Sequence, residues 1–452
     1  MEGFSSYYAA VSKVIETYNT NPSKADEIMS EQFSLYFHKK PFHGVCQFIF
    51  LTLLRNKFLI ECSIGKIVKK KPRKKVESLI EAAFAEIIIS EDEKIPKVIH
   101  GWVEFAKTYL SKPEANFVNA VLRKAKFALN ETIKTGSLSQ IYSFPQWLID
   151  RWTDQFGSET TLQILKLSNK PSEVFFRKAE GFSDSTFSKY SQFFTPSKFD
   201  NFYILKSGNW DRVKELLSEP DFYIQDPSTT FAIDVLNPKP GKTYLDLCAS
   251  PGGKSRYIAD RIRSVAKKEN SLDNLKNDKE TLLVSVDVQK RLRLLKQNIS
   301  KIDFLPARVL ACDLLNENLS QKLSEQNLPT KFDAVFIDAP CSNTGVLRRR
   351  PDARYRITPD DIKNCSKKQR FLLREYSKYV KDGGMLVYST CSIDNEENQQ
   401  VAQDFLEENH TFEPIFSKTF LPENENDGCG VFVFVKKQNQ TSQRQKQLLE
   451  IC

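Results

Sequence analysis

The chain has 452 residues, more than one hydrophobic core usually organises, so two or three domains are expected. Hydrophobic residues make up 40% and charged residues 27%, a balance that excludes wholesale disorder. The 66 basic and 57 acidic residues give a net charge of +9, which suits a polyanionic partner such as nucleic acid but does not establish one.

Several classes of protein are disfavoured at once. The first residues lack the charged, apolar and small-residue regions of a signal peptide, and the longest apolar run, Val45 to Leu54, is too short to span a bilayer. Nine cysteines without a CxxC pair and only 4 histidines argue against zinc sites and a disulfide framework. We therefore expect a monomeric cytoplasmic protein without a metal or a membrane segment, whose thiols are reduced.

The N-terminal part has a helical pattern. Apolar residues recur at three- and four-residue spacing, which predicts an all-helical domain over residues 1–140. Inside it, the basic run Lys66 to Lys75 is either a solvated loop or a patch that contacts phosphates. Residues 141–226 have a weaker pattern and are assigned to a linker or N-terminal subdomain, in which the many phenylalanines are interpreted as core residues rather than RNA-stacking ones.

After Thr243, predicted strands alternate with predicted helices. This alternation is typical of a parallel, doubly wound α/β sheet of the Rossmann-like type, here assigned to residues 227–437 with a polar tail at 438–452. In such sheets ligands bind beyond the carboxyl ends of the strands. Candidate site residues are therefore sought at those ends.

A glycine-containing loop follows the first of these strands, where the chain turns into a helix. It consists of Cys248, Ala249, Ser250, Pro251, Gly252, Gly253 and Lys254. Glycines allow close approach of the backbone to a ligand, and a helix N-terminus offers free amide groups. The loop matches neither the GxGxxG nor the P-loop pattern, so phosphoryl transfer is disfavoured.

Three aspartates, Asp287, Asp313 and Asp338, follow the next three strands. The carboxyl ends of parallel strands share one edge of the sheet, and a carboxylate after the second strand of a dinucleotide-type fold holds ribose hydroxyls. The three together predict a nucleoside-containing cofactor.

Two cysteines form the most specific pattern: Cys341 follows the fourth strand and Cys391 follows the fifth. Neighbouring strands lie about 4.8 Å apart, so both thiols can point into one cleft. A disulfide does not suit a reducing compartment, and two thiols are too few for a metal. Covalent catalysis remains, because a thiolate attacks electron-poor carbons such as carbon 6 of a pyrimidine. The other cysteines are interpreted as packing residues.

The chain resembles the RsmB/NOL1/NOP2/Sun family of RNA cytosine-5 methyltransferases in the segments LDLCASPGGKS, VDV, ACD, IDAPCSNTGVLRRRPD and LVYSTCSIDNEEN. NAVLRK and YSFPQWL are similar to the NusB-like RNA-binding domain and linker of the bacterial branch, which methylates a cytosine in small-subunit ribosomal RNA. The resemblance implies an all-α NusB-like domain before a Rossmann-like methyltransferase domain that uses S-adenosyl-L-methionine. It also implies RNA as the partner, most often small-subunit rRNA.

For the cofactor, the resemblance implies that the loop 248–254 holds the amino-acid part of S-adenosylmethionine. Asp287 then binds the ribose hydroxyls, and Asp313 lies beside the adenine. The loop has Ser250 where the family usually has alanine, a small change expected to be harmless.

For catalysis, the resemblance implies that Cys391 attacks the base and that Cys341 assists removal of the carbon 5 proton and release of the enzyme. Asp338 lines the site near the methyl group and the base, and Lys254 lies near the reacting groups. The arginines at 348–350 are expected to contact phosphate.

Three alternatives remain open from the sequence. The same chemistry on tRNA or large-subunit rRNA would use the same residues. An inactive RNA-binding ribosome assembly factor would retain the fold but would have no need of two placed thiols. A nicotinamide-dependent oxidoreductase would lack its GxGxxG motif and leave the cysteines unexplained.

Overall fold

The computed structural model describes residues 6–36 and 42–438, and every structural statement here concerns those residues. They divide into two compact units. The first comprises the described residues up to Pro171 together with Leu347–Arg356, and the second comprises Ser172–Val346 and the described residues from Ile357 onward. Among the described residues, no helix is long and apolar enough to cross a bilayer.

The first unit is built from helices, as the three- and four-residue spacing predicts. Helices are numbered along the whole chain, and those of this unit are α1 (Tyr7–Thr20), α2 (Ala25–Tyr36), α3 (His43–Arg55), α4 (Lys57–Ile67), α5 (Lys74–Ile89), α6 (Ile95–Tyr109), α7 (Lys112–Leu122), α8 (Ala125–Thr135), α9 (Leu138–Tyr142), α10 (Gln146–Phe156), α11 (Ser158–Ser168) and α19 (Ala353–Arg356). The apolar stripes of α1 to α8 form one core; Val11, Val14 and Ile15 of α1, for example, are at most 1% exposed. The basic run spans the loop between α4 and α5, where Lys69 and Lys70 are exposed.

The second unit begins with a small antiparallel sheet in the order β2-β3-β1-β4. Its strands are β1 (Phe175–Lys178), β2 (Phe194–Pro196), β3 (Phe202–Leu205) and β4 (Phe222–Ile224), with helices α12 (Asp184–Tyr190) and α13 (Trp210–Val213) between them. Phe176 and Phe222 are fully buried and stack on each other with ring centroids 5.2 Å apart. The interpretation of these phenylalanines as core residues is confirmed.

The larger sheet of this unit has seven strands among the described residues, in the order β10-β11-β9-β8-β5-β6-β7. They are β5 (Thr243–Leu247), β6 (Leu282–Asp287), β7 (Ala307–Ala311), β8 (Phe332–Asp338), β9 (Val380–Thr390), β10 (Phe412–Phe420) and β11 (Cys429–Lys436). The connecting helices are α14 (Phe231–Leu236), α15 (Gly253–Lys268), α16 (Leu272–Leu275), α17 (Leu292–Ile299), α18 (Leu319–Glu325), α20 (Pro359–Tyr376) and α21 (Gln399–Glu408). Apolar clusters cover both faces of the sheet.

The sheet is mixed rather than wholly parallel. Strands β7, β6, β5, β8 and β9 pair in parallel, whereas β11 pairs with both β9 and β10 antiparallel. The prediction of a doubly wound Rossmann-like sheet is confirmed, although the sheet is not parallel throughout because β10 and β11 run antiparallel. The first strand, β5, lies at the centre with β6 and β8 on either side, so the ends of β5 and β8 form the switch point where such folds bind ligands.

Candidate active site

The loop that follows β5 makes a tight turn into α15. Cys248 and Gly252 both have positive φ, +59° and +102°. A Cβ at Gly252 would approach Leu295 to 3.1 Å in addition to straining the backbone, so glycine is required there. Because the N-cap residue of α15 is this glycine, no side chain caps the helix, and its first amide groups remain available to a ligand.

Asp287 fastens this loop to the end of β6. One of its carboxylate oxygens accepts a hydrogen bond from the Ser250 amide at 2.8 Å, and the other accepts from the Val288 amide at 2.7 Å. The residue is 4% exposed. Each oxygen keeps a second lone pair, so the carboxylate can hold the loop and still accept from a hydroxyl.

Asp313 lies beyond the end of β7 and is bonded within its own turn. Its carboxylate accepts from the Leu315 amide at 3.1 Å and from the Asn316 side chain at 3.0 Å. These hydrogen bonds lower the pKa of Asp313. The carboxylate therefore stays ionised at the same sheet edge as Asp287.

Lys254 and Asp338 form an ion pair across the switch point. Lys254 Nζ lies 2.6 Å from Asp338 Oδ1, which also accepts a hydrogen bond from Ser389 Oγ at 3.1 Å. Burial lowers the pKa of Lys254, but the charge and hydrogen bond of Asp338 outweigh it and leave that pKa above its usual value. The first turn of α15 therefore brings a fixed positive charge to the ends of β8 and β9.

The two predicted cysteines are in direct contact. Because β8 and β9 are neighbours and Asp338 pairs with Ser389, the residues that follow these strands meet, and the sulfur atoms of Cys341 and Cys391 lie 2.9 Å apart. Both are free thiols and neither is fully buried. The Cys391 amide also donates to Cys341 Sγ at 3.3 Å.

The pKa of the Cys341 thiol is raised well above its ordinary value. The hydrogen bond to Cys391 is the largest cause, followed by burial and by the negative charges of Cys391 and Glu397. Cys341 therefore keeps its proton at neutral pH.

Asn343, to which the sequence pattern gave no role, contacts both cysteines. Its backbone is left-handed, with φ of +66°. The side-chain nitrogen donates to the Cys341 carbonyl at 3.0 Å, and the side-chain oxygen accepts from Cys391 Sγ at 3.1 Å. Gly345 adds a backbone bond, because its amide donates to the Cys391 carbonyl at 2.9 Å. The loop after β8 is thereby tied to the residue after β9.

One of the three arginines that were expected to contact phosphate is buried. Arg348 is 5% exposed within the first unit, where the side chain of Arg55 donates to its carbonyl at 3.0 Å. Burial in the helical core excludes Arg348 as a surface phosphate contact, and that part of the expectation is wrong. Arg350 is exposed.

The arrangement can therefore hold a ligand with a carboxylate and a diol along the ends of β5 and β6, beside a pair of thiols and a lysine–aspartate pair. Among the described residues, no group of three or more His, Cys, Asp or Glu side chains is placed to bind a metal ion. The geometry favours nucleophilic catalysis by sulfur next to a bound cofactor.

Comparison with known proteins identifies two family regions in the chain. Residues 233–442 match the family model described as 16S rRNA methyltransferase RsmB/F. Residues 11–127 match the NusB family. The first match contains the loop 248–254 and both cysteines, and the second lies within the helical unit.

Similar proteins cover most of the chain. A probable ribosomal RNA small subunit methyltransferase B from Bacillus subtilis is 29% identical over 392 residues, which are 82% of this chain and 81% of that protein. The ribosomal RNA small subunit methyltransferase B of Vibrio vulnificus is 27% identical over 417 residues, 87% of this chain and 91% of that protein.

Solved structures agree with this fold. The crystal structure of PH0851 superposes with a TM-score of 0.70 at 21% identity, covering 95% of this chain and 98% of that one. A methyltransferase homolog protein from Pyrococcus horikoshii superposes with a TM-score of 0.50 at 25% identity, covering 68% of this chain and 98% of that one.

Proposed function

We propose that this chain, a member of the RsmB/F family of rRNA methyltransferases with a NusB-family domain before it, methylates carbon 5 of a cytosine in small-subunit (16S) ribosomal RNA through a covalent bond between Cys391 and the base. The observation that carries the proposal is the 2.9 Å contact between the sulfur atoms of Cys341 and Cys391 at the switch point of the sheet. Covalent attack on a base needs a nucleophile and its reversal needs a proton acceptor, and the two thiols can fill these two roles, whereas binding alone needs neither.

S-adenosyl-L-methionine fits the ends of β5 and β6. When bound, it supplies an electrophilic methyl group to carbon 5. The uncapped start of α15 suits its carboxylate, and the remaining lone pairs of Asp287 suit its ribose hydroxyls. Residues 248–254 would surround its amino-acid part, and Asp313 would lie by the adenine.

Cys391 makes the reaction possible by adding to carbon 6 of the base. Carbon 5 of cytosine is a poor nucleophile until a thiolate bonds to carbon 6. The π electrons of the carbon 5–carbon 6 bond then form a carbon 4–carbon 5 double bond, and those of the carbon 4–N3 bond move to N3. The Asp338 carboxylate can accept a hydrogen bond from the N4 amino group of the base, and its ion pair with Lys254 holds it in place. The base must leave its stack to reach these groups, so an unpaired or flipped cytosine is required.

Cys341 completes the reaction by removing the proton from carbon 5. The electron pair of that C–H bond restores the carbon 5–carbon 6 double bond, the sulfur–carbon 6 bond breaks, and Cys391 leaves as a thiolate. Bonding of Cys391 to the base removes the negative charge of Cys391, which is one of the causes that raise the pKa of Cys341. The Cys341 thiol then loses its proton to solvent more readily and can accept the carbon 5 proton. Attack at one cysteine thereby prepares the other to act as a base.

The proposal is tested by incubating the purified protein with unmethylated small-subunit rRNA and labelled S-adenosylmethionine, followed by nucleoside analysis. We expect label in 5-methylcytidine and none with Cys391→Ala. Labelling of tRNA or large-subunit rRNA in place of small-subunit rRNA would keep the chemistry and change the substrate. Absence of transfer to every RNA would favour an inactive assembly factor.

A further inference from the structure

A buried carboxylate that the reaction does not use lies behind the cysteine pair. Glu397 ends a short 3-10 helix, Asn395–Glu397, and is 0% exposed, which is rare for glutamate unless it is paired. Its Oε1 accepts hydrogen bonds from the Ser342 amide at 2.9 Å and from Gln369 Nε2 at 3.0 Å. Its Oε2 accepts from Ser342 Oγ. Burial raises the pKa of Glu397, whereas these hydrogen bonds and one with the Ser392 hydroxyl favour its ionised form.

Gln369 extends this contact to the other side of Cys341. Its Nε2 also donates to the Pro340 carbonyl at 2.9 Å, and the residue is 0% exposed on α20. The peptide groups on both sides of Cys341 are thus held by one pair of side chains. These contacts fix the backbone from which the Cys341 thiol projects.

The two cysteines depend on this pair to different extents. Cys391 directly follows β9, whose last residues pair with β8 on one side and β11 on the other. Cys341 lies three residues beyond the end of β8, in a loop without strand partners of its own. Glu397 also bonds the Ser392 hydroxyl, but the sheet already fixes the neighbouring Cys391. Loss of the carboxylate should therefore displace Cys341 far more than Cys391.

We propose that Glu397, together with Gln369, positions Cys341 for the release step. This inference rests on the proposed function, since it concerns the second half of that reaction. It separates the requirements of the two halves: attack by Cys391 needs the sheet, and release by Cys341 needs the buried carboxylate.

The test measures attack and release separately in single-turnover reactions with small-subunit rRNA and S-adenosylmethionine, quenched in denaturant and run on a denaturing gel. Glu397→Ala removes the acceptor that holds Ser342 and Gln369, and we expect release to slow on the order of 10- to 100-fold, because misplacement of a catalytic group by about 1 Å has effects of that size. A covalent protein–RNA band should accumulate, as in Cys341→Ala. Attack should stay close to the wild-type rate.

A conservative variant and a control variant show whether slow release comes from loss of the Glu397 hydrogen bonds or from loss of any nearby carboxylate. Glu397→Gln keeps an acceptor for both N–H donors and can donate to Ser342 Oγ, so release should recover. Asp404→Ala removes a carboxylate of α21 that pairs with Arg370 of α20. The hydrogen bonds given for Asp404 come from Arg370 and Gln400 and not from the cysteine loops. It should keep wild-type attack and release.

The outcomes separate the inference from the function on which it rests. If Cys341→Ala gives no band and the wild type transfers no methyl group, the proposed function fails. If Cys341→Ala gives a band but Glu397→Ala releases at the wild-type rate, or slows attack and release equally, the positioning role is wrong. Should Glu397→Ala fail to fold, Gln369→Ala replaces it in the same assay and must itself accumulate the band.

Discussion

At the scale of single residues, the two thiols differ in what surrounds them. Cys391 is held at the end of a paired strand and contacts Asn343. The sulfur of Cys341 accepts a hydrogen bond from the Cys391 amide and lies near the charge of Glu397. The same sulfur atom type can therefore serve as nucleophile in one position and as proton acceptor in the other. This asymmetry determines how the reaction should respond to pH.

We expect the release step to accelerate as pH rises. The hydrogen bond to Cys391 raises the pKa of Cys341 most, and burial and the charge of Glu397 continue to raise it once Cys391 is bonded to the base. Much of the thiol is therefore protonated at neutral pH and cannot accept the carbon 5 proton. Below a group's pKa its basic form increases about tenfold per pH unit. Release rates from pH-jump single turnovers should therefore rise with pH, and the covalent species should be most abundant in acid. A flat or falling profile would contradict this assignment.

Asp287 and Asp313 offer a matched pair for the cofactor site. Asp287→Ala removes the acceptor of the Ser250 and Val288 amides and the proposed ribose contact, so affinity for S-adenosylmethionine should fall by about tenfold or more. Asp313→Ala, at a more exposed turn, should weaken binding less. Isothermal titration of both variants measures the difference. Equal losses would contradict the assignment of the ribose to Asp287.

At this scale the sequence allowed the motif residues to be predicted, but not their support. Cys341 and Cys391 could be placed in one cleft because strand ends at one sheet edge are a simple consequence of the α/β pattern. Glu397 could not be found, because a glutamate in an acidic segment has the pattern of a solvated surface. Only the three-dimensional contacts show that it is buried against Ser342 and Gln369.

At the scale of elements, the alternation of strands and helices predicted five parallel strands and their order along the chain. It did not predict β10, because β10 has largely exposed side chains and no regular alternation, and it is specified by pairing with β11. The direction of β11 was equally hidden, since an apolar run has the same composition whether it pairs in parallel or antiparallel.

The segment Leu347–Arg356 provides a test of packing at this scale. The guanidinium of Arg354 is 0% exposed, donates to the Ser168 carbonyl at 3.1 Å and to Asn169 Oδ1 at 2.7 Å, and lies 3.8 Å from the Phe144 ring centroid. Arg354→Ala should lower the free energy of unfolding by about 3 kcal/mol, because it creates a cavity and leaves buried acceptors unpaired.

The exposed neighbour Arg350 is the control for that measurement. Arg350→Ala should change the free energy of unfolding by less than about 0.5 kcal/mol, as surface substitutions usually do. Denaturant titration of both variants measures the two changes in the free energy of unfolding. Equal stability of the two would mean that the contacts of Arg354 do not stabilise the helical unit.

At the scale of the whole molecule, the helical unit is discontinuous in sequence and is not confined to the N-terminal part of the chain. The sequence pattern ended it at residue 140, but α10, α11 and the segment Leu347–Arg356 all belong to it. Local periodicity cannot predict a discontinuous unit, because it shows which face of an element is apolar but not which distant segment packs against that face.

A fragment of residues 172–452 should therefore be defective. It retains Leu347–Arg356 but lacks the residues that bury Arg354 in the intact helical unit. We expect low solubility and no methyl transfer, with partial recovery when residues 1–171 are supplied as a second polypeptide. A soluble, fully active fragment would show that this segment does not need the helical unit.

A covalent bond between Cys391 and an RNA cytosine, and its release by Cys341, can be observed on a denaturing gel of Cys341→Ala incubated with unmethylated small-subunit rRNA and S-adenosylmethionine. We expect a covalent protein–RNA band that accumulates with time and that is absent from the double variant Cys341→Ala/Cys391→Ala. A band that survives Cys391→Ala would contradict the assignment of the nucleophile. Absence of a band, with wild-type protein also inactive, would contradict the proposed reaction on this RNA.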